Sequence, residues 1–301
     1  MGMTIALPSG KSLQESTEIL FGDARIRIKR EHSRACAAVI EGLPGIDRAI
    51  FCRHATIPQL VRDRDVDIGI TGMDCVREQG ESRNGKEPDV RIFAEFQYSR
   101  STNGGTRCVV FCKNDHRANR LSDMEPNPVI ATEYPVETRE QLHASGIVDP
   151  KLVEYPGSVE SLVVLGKYPY GVALTETGDT LRANGLKIIA EIFTSQTVLV
   201  GRLRGYKSRE IEQIMFLGKL LVGTLAARGK TYLLMNAPTD SVEVIKRILP
   251  SLKSPTIQSL ADREFVSVAA VVPNADVNSL MFRLSREGAS DFVTLPPSTV
   301  M

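Results

Sequence analysis

Residues 157–186 run GSVESLVVLGKYPYGVALTETGDTLRANGL. Midway, the apolar GVAL leads into Thr175-Glu176-Thr177-Gly178-Asp179-Thr180-Leu181, and the helix-like LRANG follows. A strand that ends in a glycine turn and opens a helix aims several backbone N–H groups at one point, and the helix dipole adds its positive end. The hydroxyls of Thr175, Thr177 and Thr180 supply further donors, so the loop is a candidate phosphate cradle. A loop rich in Thr and Asp that only caps a helix would read the same way. Glu176 and Asp179 count against an anion unless a cation intervenes.

Outward from this loop, strands alternate with helices. TIALPS, RAIFCR and VDIGIT are strand-like, SLQESTEIL and IPQLVRDR helix-like, which predicts an α/β lobe with a mostly parallel sheet. ESRNGKEPD (81–89) is a loop by composition. RCVVFC, PVIATEYP and KLVEYP read as strands and ETREQLHASG as a helix, forming a second lobe. GLKIIAEIF and QTVLVGRL are strands that carry the chain back to the first. The expected division is residues 1–98 with 187–209 for lobe I, and 99–186 for lobe II with the phosphate loop. Residues 210–301 make a C-terminal domain, entered through the amphipathic REIEQIMFLGKLLVGTLAARG. There, strands and helices alternate from YLLMNAP to DFVTL, as in a ferredoxin-like α+β unit. Such a unit leaves one sheet face free for oligomer contact or an effector.

Composition narrows the class. In 301 residues, 42% hydrophobic and 24% charged, nothing suggests disorder, and the length suits two or three modules. A net charge of +1 provides no basic field for nucleic acid. No apolar run approaches the ~18 residues of a membrane helix and the start lacks a signal pattern, so a cytoplasmic protein without a membrane partner is expected. Cys36, Cys52, Cys75, Cys108 and Cys112 form no CxxC pair and read as buried reduced thiols. None of His32, His54, His116 and His143 falls in a triad or metal motif.

The run 157–186 closely resembles the phosphoribosyl-diphosphate-binding region of ATP phosphoribosyltransferase, the first enzyme of histidine biosynthesis. TIALPSGKSL, VDIGITGMD, IATEYP, YLLMNAP and LPSLKSPTIQSLAD resemble that family's segments in its order, so the likeness spans nearly the whole chain and matches the long, single-chain form. It implies a two-lobed core of the type II periplasmic-binding-protein kind followed by a regulatory domain that binds histidine; a simple oligomerisation module is the alternative for the latter. It also implies transfer of phosphoribosyl from phosphoribosyl diphosphate to N1 of ATP or a close adenine nucleotide, with magnesium, in a homo-oligomer (dimer or hexamer).

Carried over by motif, Thr177, Gly178, Thr180 and Leu181, with Thr175 alongside, hold the 5-phosphate, and Glu160 matches the glutamate that opens the signature. Thr71, Gly72 and Asp74 of GITGMD face the cleft from the other lobe, Asp74 having a turn role as its alternative. Arg53 and Lys11 are candidate phosphate ligands. The chain departs from the pattern where the family has a ribose-binding aspartate, here Ala173. Tyr168, Pro169 and Gly171 depart beside it, and Ser9-Gly10-Lys11 stands for Lys-Gly-Arg. A sugar hydroxyl without that carboxylate loses about 1.5–3 kcal/mol. The departures leave open a divergent paralogue, as in nucleoside-antibiotic biosynthesis, or a non-catalytic regulator binding nucleotide or amino acid. A secreted solute-binding protein is the third reading.

Overall fold

A computed structural model describes residues 2–80, 90–96, 98, 106–250 and 254–301, so the expected loop at 81–89 lies outside the described residues. Two compact units divide within one helix, Met1–Gly218 and Lys219–Met301. That division falls later than the expected start of the C-terminal domain at 210.

The first unit begins β1 (Met3–Ser9), α1 (Lys11–Asp23), β2 (Arg27–Lys29), β3 (Ala37–Glu41), β4 (Ile46–Arg53), α2 (Ile57–Arg62), β5 (Ile68–Gly72), α3 (Met73–Gly80) and β6 (Val90–Phe96). It then crosses to β7 (Thr106–Lys113), β8 (Val129–Thr132), α4 (Pro135–Ala144), β9 (Lys151–Glu154), α5 (Val159–Val164), β10 (Tyr170–Thr175), α6 (Asp179–Ala183) and β11 (Leu186–Ser195). It returns at Gln196 into β12 (Thr197–Arg202) and α7 (Ser208–Ala227). The sheets have the orders β2-β3-β4-β1-β5-β12-β6 and β11-β7-β10-β8-β9 among the described residues.

The two lobes share one plan that no sequence repeat announces. In lobe I, β4-β1-β5 run parallel and β12 is inserted antiparallel before β6. In lobe II, β9-β8-β10 run parallel and β7 is inserted antiparallel before β11. Each inserted strand is the one that follows a crossing. Together with the β2–β3–β4 antiparallel pairs, these make both sheets mixed, correcting the expected mostly parallel sheet. This is the type II two-lobed plan.

A second correction concerns the lobe boundary. β11 was expected to rejoin lobe I from residue 187, yet it is the edge strand of lobe II, antiparallel to β7, with Ile189 and Phe193 in that lobe's core. Its apolar residues are consumed there, and the return waits until Gln196. Alternation along β7 and β10 sorts the lobe II core into two faces. Cys108, Val110, Tyr170 and Val172 lie on one, and Val109, Phe111 and Ala173 on the other, with Val159 and Leu181 from the helices.

The second unit contains β13 (Lys230–Pro238), α8 (Val242–Ile248), β14 (Thr256–Ser259), β15 (Phe265–Pro273), α9 (Val277–Arg286) and β16 (Ser290–Leu295). Its antiparallel order β14-β15-β13-β16 is ferredoxin-like, as expected. The sequence reading lacked β14, because TIQS holds one apolar residue, Ile257, and no alternation to detect. Leu233, Met235, Val268 and Ala270 face Ile245, Leu280 and Leu284 in the core, while Tyr232, Val293 and Leu295 remain exposed.

Candidate functional site

The shared plan places the two candidate loops in equivalent positions. GITGMD follows β5 and TETGDTL follows β10, each the third parallel strand of its sheet, and each ends beside the strand entering from a crossing. Gly72 is opposite Thr197, and Thr175 opposite Arg107. Carboxyl ends of strands at such a switch of order are where open α/β sheets bind ligands. Between them lies a cleft lined by His54, Gly72 and Asp74 from lobe I, Thr106 and Leu174 from lobe II, and Tyr98 and Ser195–Thr197 from the crossings. Thus Gly72 and Asp74 line the same cleft as Leu174, the residue preceding Thr175. Arg53, Thr71, Glu160 and residues 175–181 are not among its lining residues, and the Lys11 side chain lies outside what the structure describes.

In the TETGDTL loop, Gly178 takes φ 78°, ψ 4° ahead of α6, a left-handed conformation that glycine adopts without strain. The loop is closed on itself. The Gly178 N–H donates to Thr175 Oγ1 at 3.0 Å, and the Asp179 N–H to Thr177 Oγ1 at 3.3 Å, while that hydroxyl donates to Asp179 Oδ2 at 2.6 Å. The Asp179 carboxylate, which told against an anion in the sequence, pairs with Arg182 at 2.5 Å. The Thr177 hydroxyl and that guanidinium hold its carboxyl below the usual range. Thr177 and Thr180 are exposed, whereas the Leu181 side chain is buried in the apolar cluster, so only its backbone is available to a ligand. Glu160 stands half-buried in the first turn of α5.

The facing loop is more constrained than the sequence suggested. Thr71 is fully buried and its hydroxyl donates to the His54 carbonyl at 2.7 Å, so it braces lobe I instead of facing the cleft. Asp74 is 3% exposed, with its Oδ1 2.5 Å from Ser195 Oγ, and that oxygen accepts the Asp74 N–H at 3.0 Å. Gly72 is required here, since a Cβ would lie 2.1 Å from Asp74 Oδ1. Cys75 donates to Asp74 Oδ2 at 3.3 Å, and burial pushes its thiol well up, which disarms it as a nucleophile. Cys108 and Cys112 are likewise buried, but Cys36 is exposed and Cys52 half-buried, against the expectation that all five are buried.

At the rim, Arg53 ends β4 in register with Ser9, directly before Gly10 and Lys11, the first residue of α1. The antiparallel β3 begins at this same end, so the turn at 30–36 emerges beside Arg53. Arg30 is held there by Glu18 and lies 4.2 Å over the Phe51 ring. The exposed guanidinium groups of Arg34 and Arg53 have no partner among the described residues. Sequence reasoning missed Arg34, Ser195 and Tyr98. The basic run RIRIKREHSR (25–34) was a signal for the first; the others had none.

The family described as HisG, ATP phosphoribosyltransferase, matches residues 53–217, and the HisG C-terminal domain matches residues 227–297. The chain belongs to the ATP phosphoribosyltransferase family. It is 34% identical to the ATP phosphoribosyltransferase of Nitratidesulfovibrio vulgaris, covering 97% of this chain and 95% of the relative. It is 31% identical to that of Methanothermobacter thermautotrophicus, covering 98% of each. A solved ATP phosphoribosyl transferase (HisG:HisZ) complex from Thermotoga maritima is similar, with TM-score 0.56 and 25% identity over 72% of this chain and 96% of the other. ATP phosphoribosyltransferases are glycosyltransferase-type enzymes, so this long-form chain is an enzyme of that class. No helix among the described residues is long and apolar enough to cross a membrane.

Gly171 and Ala173 lie on one packed face of β10. Gly171 is opposite Phe111, and a Cβ on it would lie 2.5 Å from Phe111 Cζ and 2.9 Å from Val159 Cγ1. The aromatic ring fills the space a branched residue would take. Ala173, 5% exposed, shares this face with Val109, Leu181 and Leu186.

Proposed function

We propose that the chain transfers the phosphoribosyl group of phosphoribosyl diphosphate to N1 of ATP or a close adenine nucleotide, releasing diphosphate, as the entry to histidine biosynthesis in the cytoplasm. The observation that carries this reading is the equivalent placing of two loops at the ends of β5 and β10, the β10 loop being hydroxyl-rich with a left-handed glycine. In the reaction the N1 lone pair forms a bond to C1 as the C1–oxygen bond breaks, and the electron pair leaves on diphosphate. Displacement at such an oxocarbenium-like carbon asks the protein to position two anions and stabilise the leaving group, not to supply a nucleophile.

The β10 loop would take the 5-phosphate through Thr175, Thr177, Thr180 and the backbone from Gly178 to Leu181. Arg53 and Arg34 at the rim would face the diphosphate, arginine being suited to bidentate contact with phosphate oxygens. No cluster of His, Cys, Asp and Glu among the described residues suits a metal ion. The Asp74 carboxylate is committed to Ser195 and Cys75, and that of Asp179 to Thr177 and Arg182. Magnesium would arrive on the substrate's diphosphate, held by its oxygens and water.

Mixing the protein with ATP, phosphoribosyl diphosphate and magnesium should yield an ultraviolet-absorbing adduct and diphosphate in equal amounts; neither above background would reject the reading. Arg34→Ala and Arg53→Ala should each lower kcat/KM by tenfold or more. A second reading, a paralogue with a changed sugar or a non-catalytic binder, is favoured by the apolar surroundings of Ala173. Calorimetric nucleotide binding without turnover would support it. A homo-oligomer, dimer or hexamer, is part of the proposal, and light scattering tests it.

A further inference from the structure

Helix α3 reaches both lobes with residues one turn apart. Asp74 and Glu78 stand at i and i+4, on one helix face. At the first, Asp74 lines the cleft and is bound to Ser195 at the return crossing, and the neighbouring Met73 N–H donates to the Gln196 carbonyl at 2.8 Å. The crossing is also tied on its far side. The Thr197 hydroxyl donates to the Tyr98 carbonyl at 2.9 Å, and the Tyr98 hydroxyl meets that of Thr17 at 3.0 Å.

At the second residue the contact passes between lobes. The Glu78 carboxylate accepts the Val136 N–H at 3.0 Å on Oε1 and 3.1 Å on Oε2, and the Glu137 N–H at 3.0 Å on Oε2. These are the first N–H groups of α4, which have no acceptor within their own helix and lie at its positive end. Beside them Arg77 pairs with Glu137 at 3.3 Å, whose side chain is 2% exposed and also accepts from Gln141 at 3.0 Å. Burial, reinforced by Glu154 and Glu137, pushes the Glu78 carboxyl up despite the two backbone N–H donors.

We infer that α3 is the clamp that sets the opening of the cleft: Glu78 is a positioning residue that holds lobe II by α4, while Asp74 fixes the same helix to the crossing about which the lobes turn. Only the nucleotide readout rests on the proposed reaction.

The test uses the full chain carrying Glu78→Ala or Glu78→Gln, which keeps one acceptor oxygen. Without ligand, Glu78→Ala should exchange amide hydrogens faster at 135–138 and also at 195–197, and small-angle scattering should give a larger radius of gyration. Its dissociation constant for magnesium–ATP should rise about tenfold, as a smaller closed population requires, and Glu78→Gln should move each value back toward wild type. Faster exchange confined to 135–138, with radius and affinity unchanged, would overturn the inference and leave Glu78 as a helix cap. Should Glu78→Ala not fold, Glu78→Asp, one methylene short of the gap, carries the same test. The exchange and scattering outcomes stand even if the wild-type protein turns over no phosphoribosyl diphosphate.

Discussion

Asp74 and Ser195, 121 residues apart in the chain, share two hydrogen bonds in the buried wall of the cleft, one through the carboxylate and one through the Asp74 N–H. Ser195→Ala removes the donor to the carboxylate and the acceptor of the N–H together. A buried group left in that state costs about 1–3 kcal/mol, so urea denaturation should show a loss of about 2 kcal/mol at neutral pH.

Gly171→Val should destabilise the protein by about 1–3 kcal/mol through overpacking against Phe111 and Val159. Phe111→Leu in the same chain should return part of that loss. A double-mutant cycle is then expected to give a coupling of at least ~0.5 kcal/mol between these cross-strand partners, whereas additive effects would contradict the packing.

Ala173→Asp introduces a carboxylate among Val109, Leu181 and Leu186. Burial there should raise its pKa, so stability present below the unfolded value is lost as pH rises through the folded one. Melting at pH 5 and pH 8 should therefore show the larger deficit at pH 8. Phosphoribosyl diphosphate should raise the melting temperature more in the variant than in wild type if its ribose hydroxyls reach this carboxylate.

Glu78 has a definite sign in its pH dependence. Its folded pKa lies above the ordinary glutamate value because of burial beside Glu154 and Glu137. The folded state thus binds its proton more tightly than the unfolded state, and stability declines as pH rises from the unfolded to the folded value. Glu78→Gln has no carboxyl to titrate there. The stability of the Gln variant relative to wild type should increase across that window, as denaturation at closely spaced pH values from 4 to 7 will record.

How legible each feature was depended on how local its chemistry is. TETGDTL declared itself because glycine, hydroxyls and a following helix are neighbours in sequence, and the structure has Gly178 left-handed ahead of α6. Thr71 and Leu181 lie in the same motifs, yet their side chains turned inward, which a motif does not reveal without the strand and helix faces. The repeated plan of the lobes was invisible because pairing order, not sequence similarity, makes them alike.

By itself the sequence determined the α/β class, the positions of most elements and the glycine turn that opens α6. Each follows from local periodicity, turn chemistry and apolar content. The tertiary structure alone decided that β11 stays in lobe II, that Asp74 is tied to Ser195 and that Glu78 reaches α4. Those outcomes depend on which distant groups satisfy one another once buried. Burial makes an unpaired charge or N–H costly, and the partner is chosen by the fold in three dimensions, not by separation along the chain.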